Sequence, residues 1–190
     1  VFTAAIPIPA SAISRWPIDE GSGSTVFDNI GSNDGTISGG SFINDTNGIG
    51  GHTFSTANNG SIGFNSISIF NKNQAWSFAI TFETSNVGTD GDFVWQNFQG
   101  DVCAGVHIEN SEAVGIFRDF PTNTRDQVSV SVSSNTKTRV VLTYDGVASL
   151  TIYANANQGS AGGSGFFQNV NRLVIGEDTF GNRSYSGEVD

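Results

Sequence analysis

The chain has 190 residues, a formal net charge of −10 and only eight lysines and arginines. This length suits one domain with a substantial hydrophobic core, and the lack of clustered basic residues excludes a typical nucleic-acid-binding surface. No run of about 18 apolar residues occurs, so no membrane-inserted segment is predicted. The acidity has two interpretations: it suits a salty or calcium-rich medium, or it simply keeps the domain soluble.

Residues 1–13, VFTAAIPIPASAI, are mildly apolar and include two prolines. They lack the basic leading region of an intact signal peptide. We interpret them as an extended linker or edge segment, and we assign residues 14–190 to the domain itself.

Short strand-like runs alternate with turn clusters from Ser14 onward, and no stretch of about 12 residues has helical apolar spacing. The pattern predicts an all-β sandwich of two antiparallel sheets. The predicted strands are Ser14–Ile18, Gly35–Ile37, Gly40–Ile43, Thr53–Ser55, Ser61–Phe64, Ser66–Phe70, Trp76–Thr84, Phe93–Phe98, Ala104–Glu109, Ala113–Phe117, Gln127–Ser133, Thr138–Tyr144, Ala148–Ala154, Phe166–Val170, Arg172–Ile175 and Tyr185–Val189.

Two turn signals predict hairpins. Asn58-Asn59-Gly60 lies between two short strands, and Asp145-Gly146 joins two strongly alternating ones. The Gly- and Ser-rich stretch 155–165 is predicted to be a loop. Alternation places these side chains in the core: Trp76, Phe78, Ile80, Phe82, Leu142, Leu150, Ile152 and Leu173. The lone cysteine, Cys103, is interpreted as a small buried apolar residue.

Five segments together resemble the laminin-G-like jelly-roll family of concanavalin A-like lectin and glucanase domains. They are RWPIDEGSG with the following FD and GSNDG, then AWSFAITF, VLTYDG, LTIY, and LVIG followed by YSGEVD. The resemblance spans about Arg15 to Asp190 and implies a two-sheet jelly roll. Thr138-Arg139 stands where the family usually has Trp-His.

The resemblance also implies a further strand after Asp190, paired beside the first strand. We therefore expect this domain to lack its final strand, which a downstream segment or a neighbouring chain would supply at the C-terminal edge. An exposed strand edge is normally covered.

The opening loop is a candidate calcium site. It supplies Asp19, Glu20, Asp28 and Asp34 among flexible glycines, and Ca²⁺ takes six to eight oxygen ligands; Glu20, Asp28 and Asp34 are the proposed metal ligands. The family resemblance implies that Asp190 lies beside this loop. The alternative is that these carboxylates cap turns.

Catalytic motifs are missing from the sequence. The Glu-x-Asp-x-Glu strand of glucanase relatives and the Arg and Gln-x-His motifs of alginate-lyase relatives are both absent. Asp90 and Asp92 are interpreted as solvated turn residues, and His107 as a packed or rim residue.

A sugar site needs an aromatic platform with amide, Arg and carboxylate groups around it. The candidate ligand-binding residues are Trp95, Asn97, Arg118, Asp119 and Phe120. Trp95 has a second interpretation, as a core residue.

The sequence therefore predicts a non-catalytic recognition module on an extracellular, cell or virion surface. Its partner would be a glycan or a surface protein, with calcium as a structural ion. The alternative is a structural part of a larger surface assembly, such as a spike, tail fibre, pilus or capsid decoration. A polysaccharide hydrolase or lyase comes third.

Overall fold

The computed structural model describes residues 10–44, 52–56, 60–70, 73–88, 92–99, 102–119, 124–155, 157–162, 170–177 and 185–190. Within these ranges the regular structure is entirely β-strand. The strands are Thr25–Val26 (β1), Gly35–Ser38 (β2), Ser41–Asn44 (β3), His52–Ser55 (β4), Ser61–Phe70 (β5), Trp76–Glu83 (β6), Asp92–Gln99 (β7), Val102–Glu109 (β8), Glu112–Asp119 (β9), Thr124–Ser131 (β10), Thr138–Tyr144 (β11), Ser149–Ala154 (β12), Asn157–Gly162 (β13), Val170–Ile175 (β14) and Glu188–Val189 (β15). Helices long and apolar enough to cross a membrane are absent from the described ranges.

The strands form two antiparallel sheets, which confirms the predicted fold class. The eight-stranded sheet has the order β1-β2-β5-β14-β7-β8-β9-β10, and the seven-stranded sheet has the order β13-β12-β11-β6-β15-β4-β3. One hydrophobic core lies between them. The aromatic rings of Phe78, from β6, and Trp95, from β7, meet there with centroids 4.4 Å apart.

The predicted inward residues are confirmed. Seven of the eight are buried: Phe78, Ile80, Phe82, Leu142, Leu150, Ile152 and Leu173. Trp76 is half-buried, and its ring packs against Phe117 and Tyr144 with centroids 5.8 Å and 6.0 Å away. Strict alternation on β6, β11 and β12 therefore located the core face of the seven-stranded sheet correctly.

The predicted hairpin at Asp145-Gly146 is also confirmed. β11 and β12 pair antiparallel, with Tyr144 opposite Leu150. The Asp145 carboxylate accepts backbone N–H groups from Val147, Ala148 and Ser149, and Gly146 has a φ of 83°. These three N–H donors lower the pKa of Asp145 to about 2. Asp145 therefore accepts the hydrogen bonds of the turn, and Gly146 adopts its left-handed backbone conformation.

The prediction of a first strand at Ser14–Ile18 is wrong. Ile18 has a φ of 57°, which breaks extended geometry, yet its side chain is buried in the core. The Trp16 indole N–H donates to the Asn33 carbonyl at 2.7 Å, and its ring lies 4.6 Å from that of Phe64. Side-chain anchoring, rather than strand pairing, holds this segment.

The prediction of a hairpin around Asn58-Asn59-Gly60 is wrong as well. β4 belongs to the seven-stranded sheet and β5 to the eight-stranded sheet, so the two flanking strands do not pair. Residues 57–59 lie outside the described ranges. The two predicted strands Ser61–Phe64 and Ser66–Phe70 are one strand, β5, whose register with β14 shifts between Asn65 and Phe70.

One strand, β13, was predicted as loop. It pairs along its whole length with β12 and forms the edge of its sheet. Gly159 in β13 lies against the Ser129 carbonyl oxygen of β10, the edge strand of the other sheet. The two edges therefore cover each other on this side of the sandwich.

β15 lies inside the seven-stranded sheet, between β4 and β6. Asp190 continues this pairing by exchanging two backbone hydrogen bonds with Thr81, at 2.9 Å and 3.2 Å. The predicted final strand required a strand partner at Arg15–Ile18, and that strand does not exist. A partner or further strand beyond Asp190 stays a prediction.

Candidate functional site

The face of the eight-stranded sheet that points away from the core carries a second set of buried side chains. Val114, Ile116 and Val174 are buried but lie outside the core cluster. Two polar side chains, Gln96 and His107, are only 2% and 3% exposed. Burying polar groups is costly unless they are hydrogen-bonded, so this outer face is a specific structure rather than a plain solvated surface.

Strand register aligns several of these residues across the sheet. Six adjacent strands, in the order β5, β14, β7, β8, β9 and β10, each contribute one residue to a line across the sheet. Each of these residues is the direct cross-strand partner of the one on the next strand. We call this line the central row, and its members are Gly63, Val174, Gln96, Gly105, Ile116 and Gln127. Two of its six positions are glycines, of which Gly63 is half-buried and Gly105 is buried.

A polar triad lies beside the central row. His107 Nε2 is 3.2 Å from Glu109 Oε2, and Arg125 Nη2 is 3.9 Å from the same oxygen. Arg125 Nη2 is also 3.5 Å from His107 Nε2. The His107 side chain is buried, whereas those of Glu109 and Arg125 are 39% and 40% exposed. A buried ring can therefore donate from Nε2 to the accessible Glu109 carboxylate, and the accessible Arg125 guanidinium lies close to both groups.

Trp95 is not part of this face. Its side chain is fully buried, and its ring packs on Phe78 in the core. The prediction of Trp95 as an aromatic platform is wrong, and the second interpretation, as a core residue, is confirmed. Alternation explains the outcome: Trp95 and Gln96 are neighbours on β7, so burial of one in the core directs the other outward.

For the remaining predicted ligand-binding residues, the cross-strand pairing of the backbone gives the position of each residue in the sheet. Arg118 occupies the position directly opposite Arg125, and Asp119 lies opposite Thr124, at the ends of β9 and β10. Asn97 is the cross-strand partner of Leu173 and Ala104 and is not a member of the central row. Phe120 lies outside the described residues. Arg118 is therefore the predicted residue that the register brings closest to the polar triad.

Sequence reasoning missed three residues of this face, Gln96, Glu109 and Arg125. One signal was available for Gln96, because a glutamine between hydrophobic residues in a strand indicates a polar group at a buried position. Arg125 gave no such signal, because the strand containing it was predicted to begin at Gln127. His107 was predicted to be a packed or rim residue, and its burial confirms packing.

The opening loop is organised around Asp28. Its Oδ1 accepts the backbone N–H groups of Arg15, Ile30 and Gly31 at 2.9, 3.1 and 2.9 Å. Its Oδ2 accepts the backbone N–H of Asn33 at 3.2 Å. Four amide donors thus converge on one carboxylate, which is the capping interpretation of this residue.

The other proposed metal ligands are placed separately. Asp34 accepts the Asp28 N–H at 2.9 Å, and Glu20 Oε1 accepts the Phe27 N–H at 2.7 Å. Asp190 pairs with Lys137 Nζ at 3.0 Å instead of joining this loop. Glu20 Oε2 is buried without a hydrogen-bond partner among the described residues.

No group of three or more His, Cys, Asp or Glu among the described residues is arranged to hold a metal ion. Carboxylate oxygens that already accept amide protons are also poor ligands for Ca²⁺, because the donors compete with the cation for the same lone pairs. Calcium binding by Glu20, Asp28, Asp34 and Asp190 stays a prediction.

Removing the Asp28 charge should reduce the amount of stability that the protein loses at low pH. Burial opposes ionisation, but hydrogen bonds from the Arg15, Gly31 and Ile30 amides and from Ser14 outweigh it and hold the Asp28 pKa well below its usual range. A lowered folded-state pKa adds stability above the unfolded value of 3.8, and this is lost as pH falls below about 4. Asp28→Asn should therefore cost about 1 kcal/mol at pH 6, after discounting for solvent screening.

The measurement is the urea unfolding midpoint of wild type and Asp28→Asn between pH 6 and pH 2.5. The gap between the two midpoints should narrow as the pH falls below about 4. Asp19→Asn, which changes an exposed carboxylate of the same loop, is the matched control and should leave the wild-type profile intact. A constant gap between wild type and Asp28→Asn at every pH would contradict this account.

Comparison with known proteins gives a fold and no family. No family model matches the chain, and no curated protein matches it. Domain 4 of AbnA, a GH43 extracellular arabinanase from Geobacillus stearothermophilus, in complex with arabinotriose, matches with a TM-score of 0.69 and 13% identity over 86% of this chain and 82% of that one. The binding domain of botulinum neurotoxin DC, in complex with SialylT, matches with a TM-score of 0.61 and 12% identity over 80% and 40%. The binding domain of Paraclostridial Mosquitocidal Protein 1 gives 0.66 and 11% over 88% and 45%.

This chain has the two-sheet β-sandwich fold of these solved domains. It spans most of the arabinanase domain and less than half of the toxin binding domains. At these identities the likeness establishes the fold alone, since one fold hosts many functions. It does not single out the laminin-G-like family among β-sandwich families.

Proposed function

We propose that this protein is a non-catalytic carbohydrate-binding module that acts outside the cell or on a cell or virion surface. The observation that carries the proposal is the outer face of the eight-stranded sheet, where the polar triad and the central row are held by buried residues. The solved structures of similar fold support it, because one is described with arabinotriose and another with SialylT.

The chemistry of the face suits sugar hydroxyls, which both donate and accept hydrogen bonds. The Glu109 carboxylate accepts, the Arg125 guanidinium donates, and the exposed Gln127 amide does both. Buried His107 restrains Glu109 before any ligand arrives, which lowers the entropy lost on binding. Such a face would position a glycan by hydrogen bonds without cleaving it.

Replacing Gln127 with alanine should weaken glycan binding. A hydrogen bond contributes about 0.5–1.5 kcal/mol net, which corresponds to a roughly 2- to 10-fold loss of affinity. The measurement is binding to a glycan array, followed by calorimetry with the best ligand found. Gln158→Ala is the matched control, because Gln158 is an exposed glutamine on the other sheet, paired with Tyr153 of β12.

The Gln158 variant should bind as wild type does. An array without any glycan signal would overturn the proposed function. Equal affinity of wild type and Gln127→Ala for a glycan would show that the glycan binds elsewhere on the protein.

A further inference from the structure

The polar triad on the outer face holds a cation against a carboxylate. Arg125 lies two residues before Gln127 on β10, and its guanidinium reaches Glu109 and His107 on the far side of the central row. Glu109 Oε2 is 3.9 Å from Arg125 Nη2 and 3.2 Å from His107 Nε2. Among the described side chains, no other carboxylate forms an ion pair with Arg125. Glu109 is therefore its counter-ion.

A second carboxylate flanks this ion pair. Glu112 is the direct cross-strand partner of Glu109, so the two share the outer face. Arg172 lies on β14 two residues before the central row, whereas Glu109 lies on β8 four residues after it, which separates them by roughly 20 Å along the strands. Salt screens charges beyond about 8 Å, so Arg172 has little effect at Glu109. Among the described side chains, two carboxylates and one guanidinium set the charge here.

This arrangement disfavours acidic ligands. A guanidinium binds a carboxylate through two parallel hydrogen bonds, so Arg125 would attract acidic groups if it lacked a counter-ion. With Glu109 in place, an acidic group must displace that carboxylate and approach Glu112, in a chain whose net charge is −10. A neutral hydroxyl meets no such repulsion. Glu109 Oε1 and Arg125 Nη1 have no hydrogen-bond partner among the described residues, so both have capacity for hydroxyls.

We propose that Glu109 restricts this face to neutral glycans and is its specificity-determining residue. The inference rests on the proposed carbohydrate-binding function and names its ligand class. Glu109 compensates the charge of Arg125, which leaves both side chains able to bind hydroxyls but makes the binding of carboxylate-bearing sugars weak. The buried His107 ring, beside Oε2, keeps Glu109 close to Arg125.

The test is a glycan array probed with the whole chain. The array carries neutral oligosaccharides, arabinotriose among them, and matched neutral and acidic pairs: lactose with 3′-sialyllactose, and galactotriose with trigalacturonate. The glycan that binds most tightly should be neutral, and no acidic glycan should bind within about tenfold of it. Calorimetry with that neutral glycan should give an affinity that changes by less than about twofold as salt rises from about 50 to about 500 mM.

Glu109→Gln keeps the length of the side chain and an acceptor for His107 but leaves Arg125 without a counter-ion. The affinity for acidic glycans relative to the best neutral glycan should rise about tenfold. Adding Arg125→Gln should abolish this gain, because the gain depends on the guanidinium. Glu83→Gln, on β6 of the other sheet, removes the same charge and is the matched control, with the wild-type ratio expected. The wild-type array tests the ligand class even if Glu109→Gln fails to fold.

Two outcomes would overturn the inference while the proposed function stands. One is a carboxylate-bearing glycan as the tightest ligand of the wild type, and the other is an unchanged ratio of acidic to neutral affinity in folded Glu109→Gln. An array without signal for any glycan, neutral or acidic, would overturn the proposed function as well.

Discussion

Replacing Trp95 with alanine should lower the free energy of unfolding by about 3–5 kcal/mol. Trp95 is fully buried, and its ring packs against Phe78 across the two sheets, so truncation removes apolar contact and leaves a cavity between the layers. A loss of this size is a large part of the roughly 5–15 kcal/mol that stabilises a typical domain. The measurement is equilibrium urea unfolding followed by tryptophan fluorescence and circular dichroism.

Trp95→Phe should lose much less stability than Trp95→Ala, because an aromatic ring still fills part of the space. Tyr153→Ala is the matched control, since Tyr153 is an exposed aromatic residue of β12 and should change stability by no more than about 0.5 kcal/mol. If Trp95→Ala unfolds at the wild-type midpoint but loses glycan binding, Trp95 is a ligand platform after all.

Replacing Gly159 with alanine should destabilise the protein by about 1–3 kcal/mol. A methyl group at this position would collide with the Ser129 carbonyl oxygen, and backbone atoms cannot rotate away as a side chain can. The change would force β13 and β10 apart at the edge where the two sheets meet, exposing apolar side chains such as Val128. Thermal and urea unfolding measure the loss.

Gly63→Ala is the matched control, because Gly63 also lies within a strand but has open space for a methyl group. It should be neutral or slightly stabilising, by up to about 1 kcal/mol, because alanine restricts the unfolded chain. Equal losses of stability at both positions would show that general strand propensity, rather than the contact with Ser129, explains the effect of Gly159→Ala.

The core of the seven-stranded sheet could be predicted from local sequence. β6, β11 and β12 alternate strictly, with Phe78, Leu142 and Ile152 among the buried members. The Asp145-Gly146 turn fixes which strands pair, because its own backbone conformation and hydrogen bonds favour a hairpin. In these elements local propensity and tertiary structure agree.

Connections between the sheets could not be predicted in this way. A turn signal such as Asn59-Gly60 indicates a change of direction, but the strands on either side pair only if they enter the same sheet. Similarly, residues 157–162 lack any strand pattern, and they become β13 because β12 offers them a free row of backbone groups. In both cases the strand available for pairing decided the outcome.

Tertiary packing also decided the conformation of the opening segment. Its sequence alternates well enough for a strand, but the indole hydrogen bond of Trp16 and the left-handed backbone of Ile18 fix another conformation. Asp28 organises the loop by accepting backbone amides, as the capping interpretation expects, and calcium binding stays a prediction.

The sequence by itself determined the all-β class, the core face of the central strands and the acidic, lysine-poor surface. The candidate site depended on the tertiary structure, because Gln96, His107 and Arg125 lie on three strands that only cross-strand pairing brings into one sheet. Alternation along one strand says which residues share a face, but it does not say which strands are neighbours. The physical reason is that each strand's side-chain pattern is local, whereas a binding face depends on the order and register of several strands.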